Sequence, residues 1–493
     1  MWGTWKTLAA ALGGLTLVAP LAGVSTVAYG QEAQSPPSPS GPPAATASLT
    51  LDQARGLARH AFRAGNYRLA NELAHGLLRA DPDDVSALIL LAATEPFLGR
   101  PEQGRKAGAR AWRLPGGENL RHEIAFYTAR AALREERFEL TKFWLRRAYE
   151  TTDGEVARNR LARDFQQVRA LSPWSGYISG NIAPSSNLNG GSTWSWLLID
   201  DLFVVGEMNG ASQALPGWKA NLQGGLSYKF QQSATSVTSL GLDLSHQAAF
   251  LSDEAKRMVT EEIPPGSGTF VQTVRNSDLA TSTARLSLTH IRRPDNSWTP
   301  DSLRLSFGQH WVAFEPSAHF VALDLGRTFR IGEDGRNTFR FQVGAQREWS
   351  AVGAADRDLA FLRGSWQHAF ESGSRLQLSF ARESVRSDEA NQDYGQWNIG
   401  ASWTAAKPLG PARLSLHLGW RERDYGTYGI GPFPTPNGRH DDTWSASMSF
   451  NFEGIDYMGF SPVVSVTASE TRSNITRFES RASGVSLGFQ SRF

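Results

Sequence analysis

The sequence predicts an α-helical repeat domain followed by a transmembrane antiparallel β-barrel of about 14 strands. Three observations predict it. Apolar residues recur every 3.6 positions from Leu49 to about Leu171, then every second position after Ser172-Pro173. The second part holds fourteen alternating runs with no helical stretch between them. Many run about ten residues or more, the length at which a tilted strand crosses a bilayer. Mean hydropathy is only -0.35, although the chain carries 16 Trp, 26 Phe and 47 Gly. That combination suits a barrel, because only every second residue of its strands meets lipid.

The first 30 residues read as a cleaved secretory signal. Lys6 gives a weak basic start, an apolar stretch follows over residues 8–22, and Ala28-Tyr29-Gly30 supplies small residues for cleavage before Gln31. Pro20 and nearby glycines argue against a membrane-anchoring helix. Residues 31–48 form a Pro/Ser-rich linker, with "SPPSPSGPP" at its centre, whose composition cannot pack a core. The helical domain takes residues 49–171 and the barrel 172–493.

Within the helical part, Ala54, Leu57, Ala58 and Ala61 mark one helix face. Tyr67, Ala70, Ala74 and Leu77 mark the next, which Pro82 ends. These offsets match the tetratricopeptide pattern, where small residues let paired helices approach closely. Val85 opens a second copy one repeat of about 34 residues later. A third starts near Asn119, and the segment from Glu155 to Leu171 covers the open end of the stack. A generic helical bundle is the plainer alternative. Arg105, Lys106, Arg110 and Arg113 make one helix basic, which is usually a solvated face and more rarely a docking face for an acidic partner.

In the strand half, Leu240, Leu242 and Leu244 alternate with Gly241 and Asp243. Leu414, Leu416, Leu418 and Trp420 alternate with Ser415, His417 and Gly419. The expected starts are Trp174, Gly217, Thr235, Asn276, Asp301, Ala318, Arg336, Arg357, Ser374, Gln392, Gly410, Asp441, Gly459 and Phe478. Connections after even-numbered strands are mostly short. Those after the first, third and eleventh are long, which is the alternation of turns and outer loops in such barrels. The helical domain is therefore expected in the periplasm. The last run, "SLGFQSRF", must pair with the first strand to leave no open edge in lipid. Its Ser486, Gly488 and terminal Phe493 resemble the signal read by the barrel-assembly machinery, although Ser491 stands where that signal wants a hydrophobic residue. Tryptophans such as Trp174, Trp311, Trp349, Trp366, Trp403, Trp420 and Trp444 are expected in girdles near strand ends.

Several classes are excluded or unsupported. A net charge of +2 gives no case for nucleic-acid binding. With no cysteine there are no disulfides, thiolate metal sites or Cys nucleophiles. The ten histidines lack metal-ligand spacing, and no nucleophile elbow or phosphate-cradling loop occurs. No cofactor and no enzymatic activity are expected. Asp200-Asp201 and Asp441-Asp442 are carboxylate pairs in expected loops, where solvation is the simple reading and Ca²⁺ the other. Arg285, Arg304, Arg340 and Arg413 share the polar phase and should face the lumen. There they form either a structural ladder paired with acids such as Asp243 or an electropositive lining for a passenger.

The run "GNIAPSSNLNGGS" after the first strand, with Pro184, Asn187 and Asn189, resembles a Pro-x-x-Asn-x-Asn run of the surface lipoprotein assembly modifier (Slam) family. "LQGGLSYKF" from Leu222 in the second strand is a further local match. Asn187 and Asn189 suit turn chemistry, since Asn tolerates left-handed backbone and caps its own turn. The resemblance implies an outer-membrane protein embedded in lipid that delivers a client lipoprotein or secreted haem-binding protein to the cell surface. The helical domain would meet the client, and the barrel would pass it, through its lumen or through a parted seam between the first and last strands. An exopolysaccharide export porin with tetratricopeptide repeats is the runner-up, and a passive porin with an accessory domain is the third reading.

Overall fold

The structure, a computed structural model, describes residues 49–491 except 116–117, 201–205, 209, 261–273, 294–298, 333, 431–432 and 456–459. The expected signal peptide, the whole linker, Asp201 and Phe493 lie outside the described residues.

Seven helices precede the first strand: α1 (Leu51–Arg63), α2 (Tyr67–Ala80), α3 (Val85–Thr94), α4 (Pro101–Ala111), α5 (Arg121–Arg134), α6 (Phe138–Glu150) and α7 (Glu155–Leu171). Small residues bring α1 and α2 together: Ala58, Ala70 and Ala74 are fully buried. Ala54 packs beside them, but Leu57 is 40% exposed and is not part of that buried cluster. Tyr67 opens α2 and stacks on Phe97 at 4.0 Å, and Pro82 lies in the turn after α2. Asp84 caps α3 by accepting from the Ala87 amide at 3.0 Å, and its other oxygen takes Arg55 Nε at 2.8 Å. α3 is buried on nearly every side, from Ala87 through Thr94. Leu161, Phe165 and Val168 of α7 close the stack against Trp144, Leu145 and Ala148.

Gly104 and Gly108, which are unusual inside a helix, mark where α4 meets α3 and α5. A β-carbon at Gly108 would stand 2.0 Å from Thr128 Oγ1, which is itself bonded to Ile124 O at 2.5 Å. Gly108→Ala should therefore overpack this junction and cost about 1–3 kcal/mol. Helical ellipticity of the full chain should melt at lower temperature, and Thr128→Ala added to it should recover part of the loss. Buried Glu95 is a second tie. Burial pushes its carboxyl up, but hydrogen bonds from Arg100 (2.5 Å), Asn71 (3.0 Å) and His75 outweigh this and hold it below the ordinary 4.5. That bond set stabilises the stack above pH 4.5 and is lost as pH falls through the lower folded value.

The barrel strands are β1 (Trp174–Ser185), β2 (Gly217–Gln232), β3 (Ser236–Leu251), β4 (Thr281–Arg292), β5 (Ser302–Val312), β6 (Glu315–Ile331), β7 (Asn337–Ser350), β8 (Arg357–Ala369), β9 (Arg375–Ser387), β10 (Tyr394–Thr404), β11 (Arg413–Tyr425), β12 (Arg439–Asn451), β13 (Phe460–Ser473) and β14 (Ser480–Ser491). Each pairs antiparallel with the next, and β14 returns to β1, closing a 14-stranded cylinder. Residue 276 opens a short 3₁₀ turn; β4 starts five positions on, where the alternation begins.

The two phases of the strands separate cleanly. Leu222, Leu244, Leu418 and Leu487 each expose 50% or more of their surface on the outer wall. Lys219, Asn221, Gln223, Ser227 and Lys229 occupy the opposite phase of β2. No soluble fold leaves a continuous leucine wall in water, so the outer face is a lipid face. No helix among the described residues is long and apolar enough to cross a membrane. The longest connections, 186–216, 252–280 and 426–438, all lie at the end opposite α7, hereafter the far end. The alternation is not strict there, since β5 and β6 are joined at that end by Ala313 and Phe314 alone. Trp174, Trp311, Trp349 and Trp403 sit at strand ends as expected. Trp420 and Trp444 do not; they face each other mid-strand with ring centres 6.4 Å apart.

Candidate functional site: the seam and its latch

Closure is unequal around the cylinder. β1 and β14 share four paired positions: Ser179 with Gln490, Gly180 with Phe489, Asn181 with Gly488 and Ile182 with Leu487. On its other edge β1 pairs with β2 along its whole length, from Trp174 to Ser185. Backbone hydrogen bonds hold a strand pair together, so the short ladder is the weakest joint in the wall. Pro184 lies two residues past the last pair. It has no N–H with which to extend the ladder. Gly488 belongs to the joint itself: a β-carbon there would meet Gly180 O at 2.6 Å. The lumen side of the joint is uncharged and polar. Asn221 Nδ2 donates to Asn181 Oδ1 at 2.8 Å, and a cavity of about 510 Å³ is lined by Ser179, Ser486 and Gln490 among others.

The loop between β1 and β2 clamps the far end of this joint. Asn189 shapes it by bonding four backbone groups. Its Nδ2 donates to Ala211 O and Gln213 O, both at 2.9 Å, and its Oδ1 accepts from Gly191 N at 3.2 Å and Leu215 N at 3.1 Å. Asn187 bonds both backbone groups of Gly191 (2.7 and 2.9 Å), so both asparagines do the turn chemistry their side chains suit. Leu188 and fully buried Leu215 pack on Ala255 and Val259 of α8 (Asp253–Thr260), the helix in the β3–β4 loop.

The same loop then grips the connection between β13 and β14. Ser192 Oγ donates to Thr476 O at 2.6 Å, Thr193 N to Glu479 O at 3.0 Å and Asp200 N to Asn474 O at 2.8 Å. Thr476 Oγ1 donates to Trp196 O at 2.8 Å, and Ile475, bridged to Ile199, is fully buried. One loop thus ties the two strands that the ladder joins only weakly. Asp200 is a member of this tie, taking Asn474 at 2.7 Å and Asn437 at 3.1 Å. Asp441 and Asp442 lie in β12 rather than in a loop, and Asp441 is buried against Arg439 at 2.6 Å. No cluster of three metal-ligating side chains exists among the described residues.

At the near end the helical domain is fastened at β1 and β2. Ser172 Oγ donates to Glu139 Oε1 at 2.7 Å, and Lys229 Nζ of β2 reaches Ser172 O at 3.2 Å and Ala170 O at 3.4 Å. The basic positions of α4 are largely paired: Arg105 with Glu135, Lys106 with Glu102 and Arg110 with Asp83. That is a solvated, ion-paired face and not a free basic one. A different patch escaped the sequence reading. Phe62, Tyr67, Phe97, Phe126 and Tyr127 form one aromatic run, with the Arg130 guanidinium 5.5 Å from the Phe97 ring. Its members come from α1, the start of α2, the turn after α3 and α5, so no single helix pattern reveals it.

Of the four lumen arginines, Arg285, Arg304 and Arg340 lie around one cavity. Arg413 does not join them; it is held by Glu453 at 2.6 Å and by Ala405 O and Ala406 O in the adjoining turn. Asp243 stands opposite Arg285 in the β3–β4 register but makes no ion pair with it, and accepts from Tyr177 Oη at 3.1 Å.

The architecture defines a transmembrane β-barrel carrying a tetratricopeptide-like helical domain. No family model and no curated protein sequence matches the chain. Among solved structures, it is similar to the type III secretion translocator chaperone SycD of Yersinia enterocolitica at 17% identity, over 24% of this chain and 83% of that one, with a TM-score of 0.22. It is similar to a loop-deletion mutant of OmpT, an outer membrane protein of Vibrio cholerae, at 7% identity over 65% of this chain and 99% of that one, TM-score 0.32. It is also similar to OccAB2 of Acinetobacter baumannii at 8% identity over 64% and 98%, TM-score 0.34. At these scores the likenesses carry no statement about function.

Proposed function

We propose that this chain is an outer-membrane translocator of the Slam kind. Its helical domain, in the periplasm, receives a client lipoprotein or secreted haem-binding protein. The barrel then passes the client outward by parting β1 from β14, with no chemistry performed on it. The observation that carries this reading is the four-pair seam, with the helical domain fastened at one end of β1 and a loop latch at the other. A wall that only had to be tight would distribute its ladder evenly, because each unpaired backbone group in lipid is costly. The barrel-assembly machinery would insert the chain by reading its last strand, including Ser486, Gly488 and Phe493.

Co-expression tests the reading. With a lipoprotein or haem-binder encoded beside this gene, protease-accessible client on intact cells should rise at least tenfold over cells lacking the chain. Equal display with and without it removes the translocator reading.

A further inference from the structure

The lumen arginines carry an inference of their own, independent of the translocator reading. Four guanidinium groups, from Arg285, Arg304, Arg340 and Arg363, and two carboxylates, Asp324 and Glu383, line one cavity of about 340 Å³ on the inner wall between β4 and β9. Glu383 is already engaged, by Arg363 at 2.8 Å. Asp324 stands opposite Arg304 in the β5–β6 register, yet no ion pair joins them. Among the described residues neither Arg304 nor Arg340 has a hydrogen bond or an ion pair. Arg285 has a buried Nε without a partner.

The wall holds two of these groups in place by stacking. Phe320 lies over Gly308, where a β-carbon would stand 2.2 Å from its ring, and Arg285 sits 5.2 Å above that ring. Phe361 lies over Gly344 in the same manner, at 2.4 Å, with Arg363 4.0 Å above it. Stacking uses a guanidinium's face and leaves its N–H edge free. A purely structural ladder would neutralise its arginines, since like charges side by side repel. Here three of the four form no ion pair, and together they line a space large enough for a small tetrahedral anion. Guanidinium forks match the oxygens of such anions.

We infer that this cavity is a binding site for an oxyanion of the phosphate or sulfate class. The probe is inorganic phosphate, titrated calorimetrically into the full chain folded in a zwitterionic detergent at low salt. The inferred site predicts saturable one-site binding. Arg304→Gln with Arg340→Gln should weaken it at least tenfold, while Arg347→Gln, which removes an arginine already paired with Asp358, should leave it unchanged. A measurement on the unaltered chain covers the case of a double variant that does not fold. Phosphate should protect Arg304 and Arg340 from an arginine-directed dicarbonyl reagent, read by mass spectrometry, and chloride at equal ionic strength should not. Absence of saturable binding, equal binding by the double variant, or equal protection by chloride would each overturn the site.

Discussion

Cysteines placed at Ser179 and Gln490 and oxidised to a disulfide are expected to reduce client delivery to the level seen without the protein, and reductant should restore it. The two residues face each other across the seam on the lumen side, and the natural chain has no cysteine to compete. Directly opposed strand positions suit the short Cα separation a disulfide needs. The size of the effect follows from what the seam is. A ladder bond contributes a net of roughly 0.5–1.5 kcal/mol, so a joint of four pairs is the least costly place to open the wall. A covalent cross-link removes that option altogether. The matched control is Gln223→Cys with Ser245→Cys, which locks the long β2–β3 joint and should leave delivery intact. If the seam-locked chain delivers normally, passage does not use the seam.

Asn189→Ala should unfasten the latch. It removes four hydrogen bonds to backbone groups, at about 1 kcal/mol each and roughly 4 kcal/mol in all. The expected readout is protease nicking within residues 186–216 on intact cells, at least tenfold faster than in the unaltered chain. Electrophoretic mobility of the unheated protein should still report a folded barrel. Asn187→Ala should nick less, because it releases only the two backbone groups of Gly191. Asn189→Asp keeps the acceptor and loses the two donated bonds, so it should fall between. Equal nicking of the two alanine variants would mean that Asn189 does not organise the loop.

Much of this architecture is legible in the sequence because two periods carry it. Alternation in runs such as Leu240–Leu242–Leu244 fixes which side meets lipid, and all fourteen strands follow. Alanine offsets in α1 and α2 identify the helix pairing, since only small side chains permit it. Leu57 misled because periodicity assigns a face but cannot say where a thin two-helix contact stops. Arg413 misled similarly: its phase is right, but its position at the start of β11 lets Glu453 and a turn capture it. The asparagines of the latch were legible as turn-formers. The grip of Ser192 and Thr193 on Thr476 and Glu479 was not, because it joins positions nearly three hundred residues apart and leaves no local pattern. The length of the seam ladder was also hidden, since strand register is not encoded by alternation alone.

The central claim is that the leucine wall faces hydrocarbon. Extraction of the full chain from membranes, followed by sedimentation after detergent removal, tests it most directly. The account predicts a chain that stays in solution as a monodisperse, heat-modifiable species only while detergent is present and that enters lipid vesicles when it is withdrawn. A chain that remains monodisperse and folded in plain buffer would contradict it.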